Sequence, residues 1–199
     1  MEKFYRKTPL EKIPWNKTQA DYFLKALNSG ELGQGKALDL GCGVGAKSIA
    51  LAEKGFKVTG IDISPTAIGY AQGKAKKAGL KIKFVATDAT NLSFLGDEKF
   101  DFVLDWACLH SISKTKRKKY IEGIIRHTKK GSKLLLRCFS KYKNENKSGF
   151  SAPAGFVYLF SKEDIEKLFG KYFKILETNR SKPKTHPGKW LDEYLMEKL

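Results

Sequence analysis

With 199 residues and 41% hydrophobic content, the chain has material for one sizeable core rather than two ordinary domains of about 100 to 200 residues. No apolar run reaches the roughly 18 residues that a bilayer span needs, and Met1 to Lys12 lacks the apolar stretch of a signal peptide, so a cytoplasmic protein without membrane contact is expected. The net charge of +17 comes from 33 Lys against 5 Arg spread along the chain, which fits a solvated lysine-rich surface better than base-reading or bidentate phosphate recognition; nucleic acid stays a possible partner that is not favoured.

In chain order, Thr18 to Asn28 has the spacing of an amphipathic helix with Gly30 as its stop. Lys36 to Leu40 is a short apolar strand ended by glycines, and Ala46 to Lys54 follows as a helix closed by Gly55. Lys57 to Asp62 reads as the second strand. Ser64 then supplies an N-cap, Pro65 a first helical residue and Gly79 a stop. Ile82 to Ala86 and Phe100 to Asp105 are the third and fourth strands. A helix from about Lys116 to Thr128 leads through Gly131 to a fifth strand, Lys133 to Phe139, apolar enough to be buried on both faces.

Strands separated by helices predict parallel units with right-handed crossovers, hence an α/β, doubly wound, mostly parallel sheet with helices on both faces. Beyond it, Ser140 to Pro153 predicts a mobile loop over the carboxyl ends of the strands, Ser161 to Asp164 a capping box for a helix to Phe169, and Phe173 to Arg180 a late strand. The tail from Trp190 to Leu199 has helical spacing and is equally open to capture by a sheet edge. The expected organisation is a single domain over 1–199, with an N-terminal helical lid segment (1–30), a ligand-binding half (31–139) and a second half (140–199).

Cys42, Cys108 and Cys138 are odd in number, widely spaced and set among apolar neighbours, as buried free thiols are. No histidine pair among His110, His127 and His186 has metal spacing, so no metal is expected.

Chemistry concentrates in Asp39-Leu40-Gly41-Cys42-Gly43-Val44-Gly45, at the carboxyl end of the first strand and opening a helix. Glycines there let backbone N–H groups approach a ligand, and the helix N-terminus adds a positive field. Asp62, with Ile63 beside it, ends the second strand 21 residues after Gly41, where an acid holds the ribose hydroxyls of an adenine nucleoside. Gly41, Gly43 and Ala46 also read as G-x-G-x-x-A, which leaves NAD open. Asp39 discriminates, because a buried acid is poor company for pyrophosphate but can anchor the ammonium of a methionine moiety. Asp88 and Ala89, just past the third strand, are placed to meet adenine, with a turn aspartate as the alternative. Asp105, ending the fourth strand, points to the crevice where open α/β sheets bind ligands.

From Pro14 to about Phe139 the chain resembles class I S-adenosylmethionine-dependent methyltransferases, and within them the thiopurine and tellurite-resistance group of small-molecule enzymes. The resemblance is carried by Pro14-Trp15, Leu38 to Gly45 (LDLGCGVG), Val58 to Ile68 (VTGIDISPTAI), Asp88-Ala89 and Phe100 to Ile112 (FDFVLDWACLHSI). It implies a seven-stranded, Rossmann-like sheet, with S-adenosylmethionine as cofactor and S-adenosylhomocysteine as product. By the same resemblance Asp39, Gly41, Gly43 and Gly45 surround the methionine end, Asp62 holds the ribose, Asp88 and Ala89 the adenine, and Trp15 packs over the cofactor. Trp106 and Ala107 stand where an Arg-Gly pair is more typical.

Transfer of a methyl group from a sulfonium is an in-line displacement dominated by positioning. His110, a short turn past Asp105, is the candidate base, tunable near neutral pH; a packed structural histidine is the alternative. The expected acceptor is a small thiol, chalcogen, halide or amine, in a monomer or weak dimer. RNA or protein methylation, and nucleoside or NAD binding without turnover, are the alternatives. Phe4, Tyr5, Trp106, Phe150 and Phe156 are candidates for the acceptor pocket.

Overall fold

Strand and helix alternate because short β-branched and apolar runs are punctuated by glycines and good caps. In the computed structural model, which describes residues 1–16, 22–141, 148–183 and 186–199, the order is α1 (Glu2–Lys7), α2 (Tyr22–Ser29), β1 (Lys36–Leu40), α3 (Ala46–Glu53), β2 (Lys57–Asp62), α4 (Pro65–Lys77), β3 (Lys83–Ala86), β4 (Phe100–Trp106), α5 (Arg117–Arg126), β5 (Thr128–Phe139), β6 (Gly149–Ala152), β7 (Gly155–Tyr158), α6 (Lys162–Phe169), β8 (Phe173–Ser181) and β9 (Leu191–Lys198). Among the described residues the main sheet has seven strands in the order β3-β2-β1-β4-β5-β9-β8, and β6 and β7 form a separate hairpin. Strands β1 to β5 pair in parallel, and β9 runs antiparallel to both β5 and β8.

Alternation along β4 splits the core between two faces. Phe102 and Leu104 meet Phe23 and Leu27 of α2 and Leu51 of α3, while Val103 meets Tyr120 and Ile124 of α5 and Ile165 and Phe169 of α6. Strand order reverses beside β1, which opens a crevice at the carboxyl ends of β1 and β4.

Local signals hold well. Ser64 caps α4 by accepting from the Ala67 N–H, with Pro65 first in the helix, and Ser161 and Asp164 form the reciprocal capping box of α6. Two expectations need correction, one lies partly outside the described residues, and one left open is decided. The helix expected over Thr18 to Asn28 is described only from Tyr22, since 17–21 lie outside the described residues. The strand expected from Lys133 begins at Thr128, because Gly131 (φ +82°) makes a bulge within β5 rather than a turn before it, and the Ser132 hydroxyl ties that bulge to the Phe100 carbonyl at 2.8 Å. The loop expected over Ser140 to Pro153 contains β6 and half of a hairpin; 142–147 lie outside the described residues. The ambiguous tail is strand β9, inserted between β5 and β8 and hydrogen-bonded on both edges, a gain that its helical spacing did not foretell.

Among the described residues no helix is long and apolar enough to cross a membrane, and no group of three or more His, Cys, Asp or Glu side chains could hold a metal ion.

Candidate active site

The turn from β1 into α3 is glycine-rich for reasons of space as well as backbone conformation. Gly41, Gly43 and Gly45 have φ of +70°, +55° and +78°. A Cβ on Gly45 would lie 2.8 Å from the Ala71 Cβ on α4, and one on Gly43 would lie 2.9 Å from the Tyr5 hydroxyl and 3.2 Å from Trp15 Nε1. The loop is therefore held between α4 and the N-terminal segment, with its backbone at the mouth of the crevice.

Buried acids stand at the strand ends behind it. Asp39 is 2% exposed and accepts from the Ser48 hydroxyl at 2.6 Å; burial pushes its carboxyl up to about 6, against the pull of Ser48 and Lys47. Asp62 accepts from the Gly43 N–H and the Ser64 N–H, both at 2.9 Å, and burial raises its pKa as well. Each Asp62 oxygen keeps a lone pair for a ribose hydroxyl. Ile63 beside it is 55% exposed and offers a flat apolar face. These acids suit a ligand that is cationic at one end and a nucleoside at the other, and the Asp39 carboxylate disfavours a phosphate beside it.

Asp88 is half-buried. It accepts from the Thr90 N–H at 2.9 Å, the Thr90 hydroxyl at 2.8 Å and Lys116 Nζ at 2.9 Å, and although burial opposes it, these bonds hold the carboxyl below its usual range. It thus has the geometry of a turn aspartate, with the buried Ala89 next to it.

An arrangement that the sequence did not disclose covers the loop. Glu2 of α1 accepts from the Ser64 hydroxyl, from the Thr66 hydroxyl at 2.7 Å and from the Thr66 N–H at 3.4 Å, so α1 is latched to the N-terminus of α4. That latch carries Tyr5, 1% exposed, onto Gly43. Trp15 donates from Nε1 to the Tyr5 hydroxyl at 2.9 Å and stacks on Phe4 at 5.2 Å. The contacts bridge some sixty positions of sequence, and an isolated Glu near a chain start gives no signal for them.

On the acceptor side Asp105 is fully buried. It accepts from the Cys108 N–H at 2.7 Å, the Leu109 N–H at 3.1 Å and the Tyr120 hydroxyl at 2.8 Å, and burial pushes its carboxyl up to about 7. These bonds fold the turn that carries His110, and Ala107 within that turn is held at φ +81°, which explains why glycine is more typical there. Trp106 lies between Lys47 Nζ (4.7 Å) and the Arg137 guanidinium (4.6 Å), edge-on to Phe23. His110 is 6% exposed, and burial, then the charges of Arg137 and His186, press its pKa down to about 3. It is a neutral imidazole at physiological pH, and a much weaker proton acceptor than one tuned near neutral pH. Cys42, Cys108 and Cys138 are free thiols, and burial raises the pKa of each. His127 is buried, with Nδ1 2.9 Å from the Glu98 carbonyl.

A family model described as a methyltransferase domain matches residues 37–131, which span β1 to the bulge of β5. The chain is 30% identical over 165 residues to the 2-heptyl-1-hydroxyquinolin-4(1H)-one methyltransferase of Mycobacteroides abscessus, an alignment that covers 81% of this chain and 69% of that enzyme. An S-adenosylmethionine-dependent methyltransferase of Methanosarcina mazei, 27% identical, superposes with a TM-score of 0.72 over 82% of this chain and 92% of the other. A solved structure concerned with conversion of a disulfide bond into a thioacetal group during echinomycin biosynthesis, 25% identical, superposes at 0.77 over 99% and 90%. The dinucleotide alternative left open by the G-x-G-x-x-A pattern gives way to S-adenosylmethionine. A glycine turn backed by buried acids, on this sheet order and with these relatives, makes the chain a member of the class I S-adenosylmethionine-dependent methyltransferases.

Proposed function

We propose that the protein methylates a small-molecule acceptor in the crevice between the Gly41–Gly45 turn and the β6–β7 hairpin. The carrying observation is that the β6–β7 hairpin is seated beside the carboxyl end of β5: Phe150 of β6 meets the Phe139 ring at 5.2 Å, and just after β7 the Phe160 N–H donates to the Phe139 carbonyl at 3.0 Å and the Lys141 N–H to the Phe160 carbonyl at 2.8 Å. A hairpin packed beside the strand ends favours a small acceptor over a strand of RNA or a protein surface. The relatives' names, which concern a hydroxyquinolinone and sulfur chemistry on a natural product, support the same class.

The cofactor supplies an electrophilic methyl group on a sulfonium. In this reading Asp39 and the turn Leu40, Gly41, Cys42, Gly43 and Gly45 receive its methionine end, Asp62 its ribose, and Ile63, Asp88 and Ala89 its adenine. Trp15 and Tyr5, held by the Glu2 latch, exclude water above the turn. Asp105 is a positioning residue, because its hydrogen bonds go to the turn that presents His110. The finer placement in the thiopurine and tellurite-resistance group rests on Pro14-Trp15 and on Asp105 to Ile112 alone.

The test is product formation followed by mass spectrometry, with S-adenosylmethionine and a panel of thiols, aromatic hydroxyl compounds, amines and a short RNA. Methylation of small acceptors with the RNA inert is expected; methylation of the RNA alone would overturn the reading.

A further inference from the structure

Lysines that the sequence spreads along the chain are gathered by the fold at one end of the sheet. Strands β1 to β3 are parallel, so their starts lie together at the end opposite the crevice, with Lys57 in register with Lys36 and Lys83 with Thr59. The helices that return to those starts add Lys54 after α3 and Lys76 and Lys77 in the last turn of α4. A helix C-terminus favours cations, and lysine guards an edge strand such as β3, but neither reason calls for a concavity. One is present: a groove of about 690 Å³ runs between α4 and β2–β3, with Lys57, Lys76, Lys81 and Lys83 among its lining residues. All four are exposed, and none makes an ion pair among the described residues. Glu98, the one acid of the lining, is bonded to Lys36 at 2.8 Å; that bond first, then the charges of Lys36, Lys83 and Lys57, hold its carboxyl below its usual range against burial. Phe94, 37% exposed, lies 5.4 Å from the Lys83 ammonium and sets an aromatic face beside the groove.

We propose that this groove binds single-stranded nucleic acid through its phosphates, without reading sequence and without presenting the strand for methylation. Four ammonium groups along a concave wall match a run of phosphates, and the Phe94 ring offers a stacking face to an unpaired base, the combination by which single strands are held. Lysine supplies point charges rather than the planar fork that reads guanine, so the binding is indifferent to sequence. A lipid surface meets protruding groups, whereas these lysines border a depression. Lys57 begins the strand that Asp62 ends, about 16 Å away at about 3.3 Å per residue, so a nucleic acid seated here leaves the crevice free. The binding does not depend on the methyl-transfer reading; it holds the chain on a polyanion with the crevice facing away.

The experiment uses the full chain and the fluorescence anisotropy of labelled oligonucleotides of about 15 residues, made of uridylate, of thymidylate and of mixed sequence, with a duplex of the same length, between about 50 and 200 mM NaCl. Similar affinity for the three single strands, tighter than for the duplex, is expected, with a loss of about fiftyfold across that salt range from four phosphate contacts. Lys57→Gln/Lys76→Gln/Lys81→Gln/Lys83→Gln is expected to weaken binding by about tenfold or more at the low salt and to take about 2.8 from the slope of log Kd against log salt. Phe94→Ala is expected to weaken the single strands more than the duplex. The melting temperature checks that the fourfold variant folds; should it not, Lys76→Gln/Lys81→Gln carries the test with about half the change in slope. Lys114→Gln/Lys119→Gln/Lys167→Gln/Lys171→Gln removes the same charge elsewhere and is expected to bind within about twofold of the wild type. An equal loss in the two fourfold variants would reduce the effect to net charge and overturn the proposal. So would a duplex bound more tightly than the single strands, an absence of binding at the low salt, or groove lysines that matter more for vesicles of phosphatidylglycerol and phosphatidylcholine than for the oligonucleotides.

Discussion

From β1 to β3 the candidate site is made of backbone and buried carboxylates on consecutive strand-turn-helix units, whereas around the end of β5 rings meet from separate stretches of chain. Asp39, the glycine turn and Asp62 lie within 24 residues of one another, and each is fixed by its own strand end. Phe139, Phe150 and His186 span 48 positions and depend on a hairpin and an inserted strand for their approach. The difference teaches that the turn and acids proposed for the cofactor are fixed by local geometry, while the ring cluster at the end of β5 depends on long-range packing.

The contrast can be broken at its tightest point by Gly45→Ala. The new Cβ would meet the Ala71 Cβ at 2.8 Å and its Cα at 3.2 Å in a backbone at φ +78°, so a loss of about 2 to 4 kcal/mol in thermal or urea unfolding is expected. A melt like that of the wild type would mean that α3 and α4 can separate there at little cost.

Next in size, Asp62→Ala is expected to weaken S-adenosylmethionine and S-adenosylhomocysteine by about 1 to 3 kcal/mol in calorimetry, with Phe150→Ala leaving both unchanged. Equal losses in the two variants would show that the halves are not separate.

Acidity sharpens the same line. Burial raises Asp39 to about 6 and Asp105 to about 7 from an ordinary 3.8, so both groups favour the folded state fully below pH 3.8 and lose that contribution as pH rises through 6 and 7. The free protein should therefore lose up to about 1.4 kcal/mol per pH unit per group over that window, as read by unfolding at fixed temperature. A cationic ligand beside Asp39 requires the carboxylate, so cofactor affinity should fall as pH drops below 6, with proton release visible as a dependence of binding heat on buffer. Binding heats that are independent of the buffer at pH 6 would remove Asp39 from the ammonium site.

The smallest effect is expected from Ala107→Gly, which relieves a left-handed alanine while adding chain entropy, for a gain of at most about 1 kcal/mol. A loss instead would show that the Ala107 methyl is packed in the turn that presents His110.

Much of the cofactor half was legible because its signals are short-range. Lys36 to Leu40, Lys57 to Asp62, the Ser64 cap with Pro65 and the Ser161 to Asp164 capping box depend on residues within a few positions, and the structure has all four where the sequence puts them. The identity of His110 was legible too, but its ionisation was not, since that depends first on burial and then on Arg137 and His186 folding against it.

The sequence alone thus determined the strand-turn-helix alternation, the glycine turn and the acids of the nucleoside site, because hydrogen bonding and capping act between near neighbours. Tertiary structure decided the rest. Only the packed chain latches Glu2 to Ser64 and Thr66, draws the tail into the sheet as β9 and gathers His110, Phe150 and His186 around Phe139, since each of these is made by groups that the chain keeps far apart until it folds.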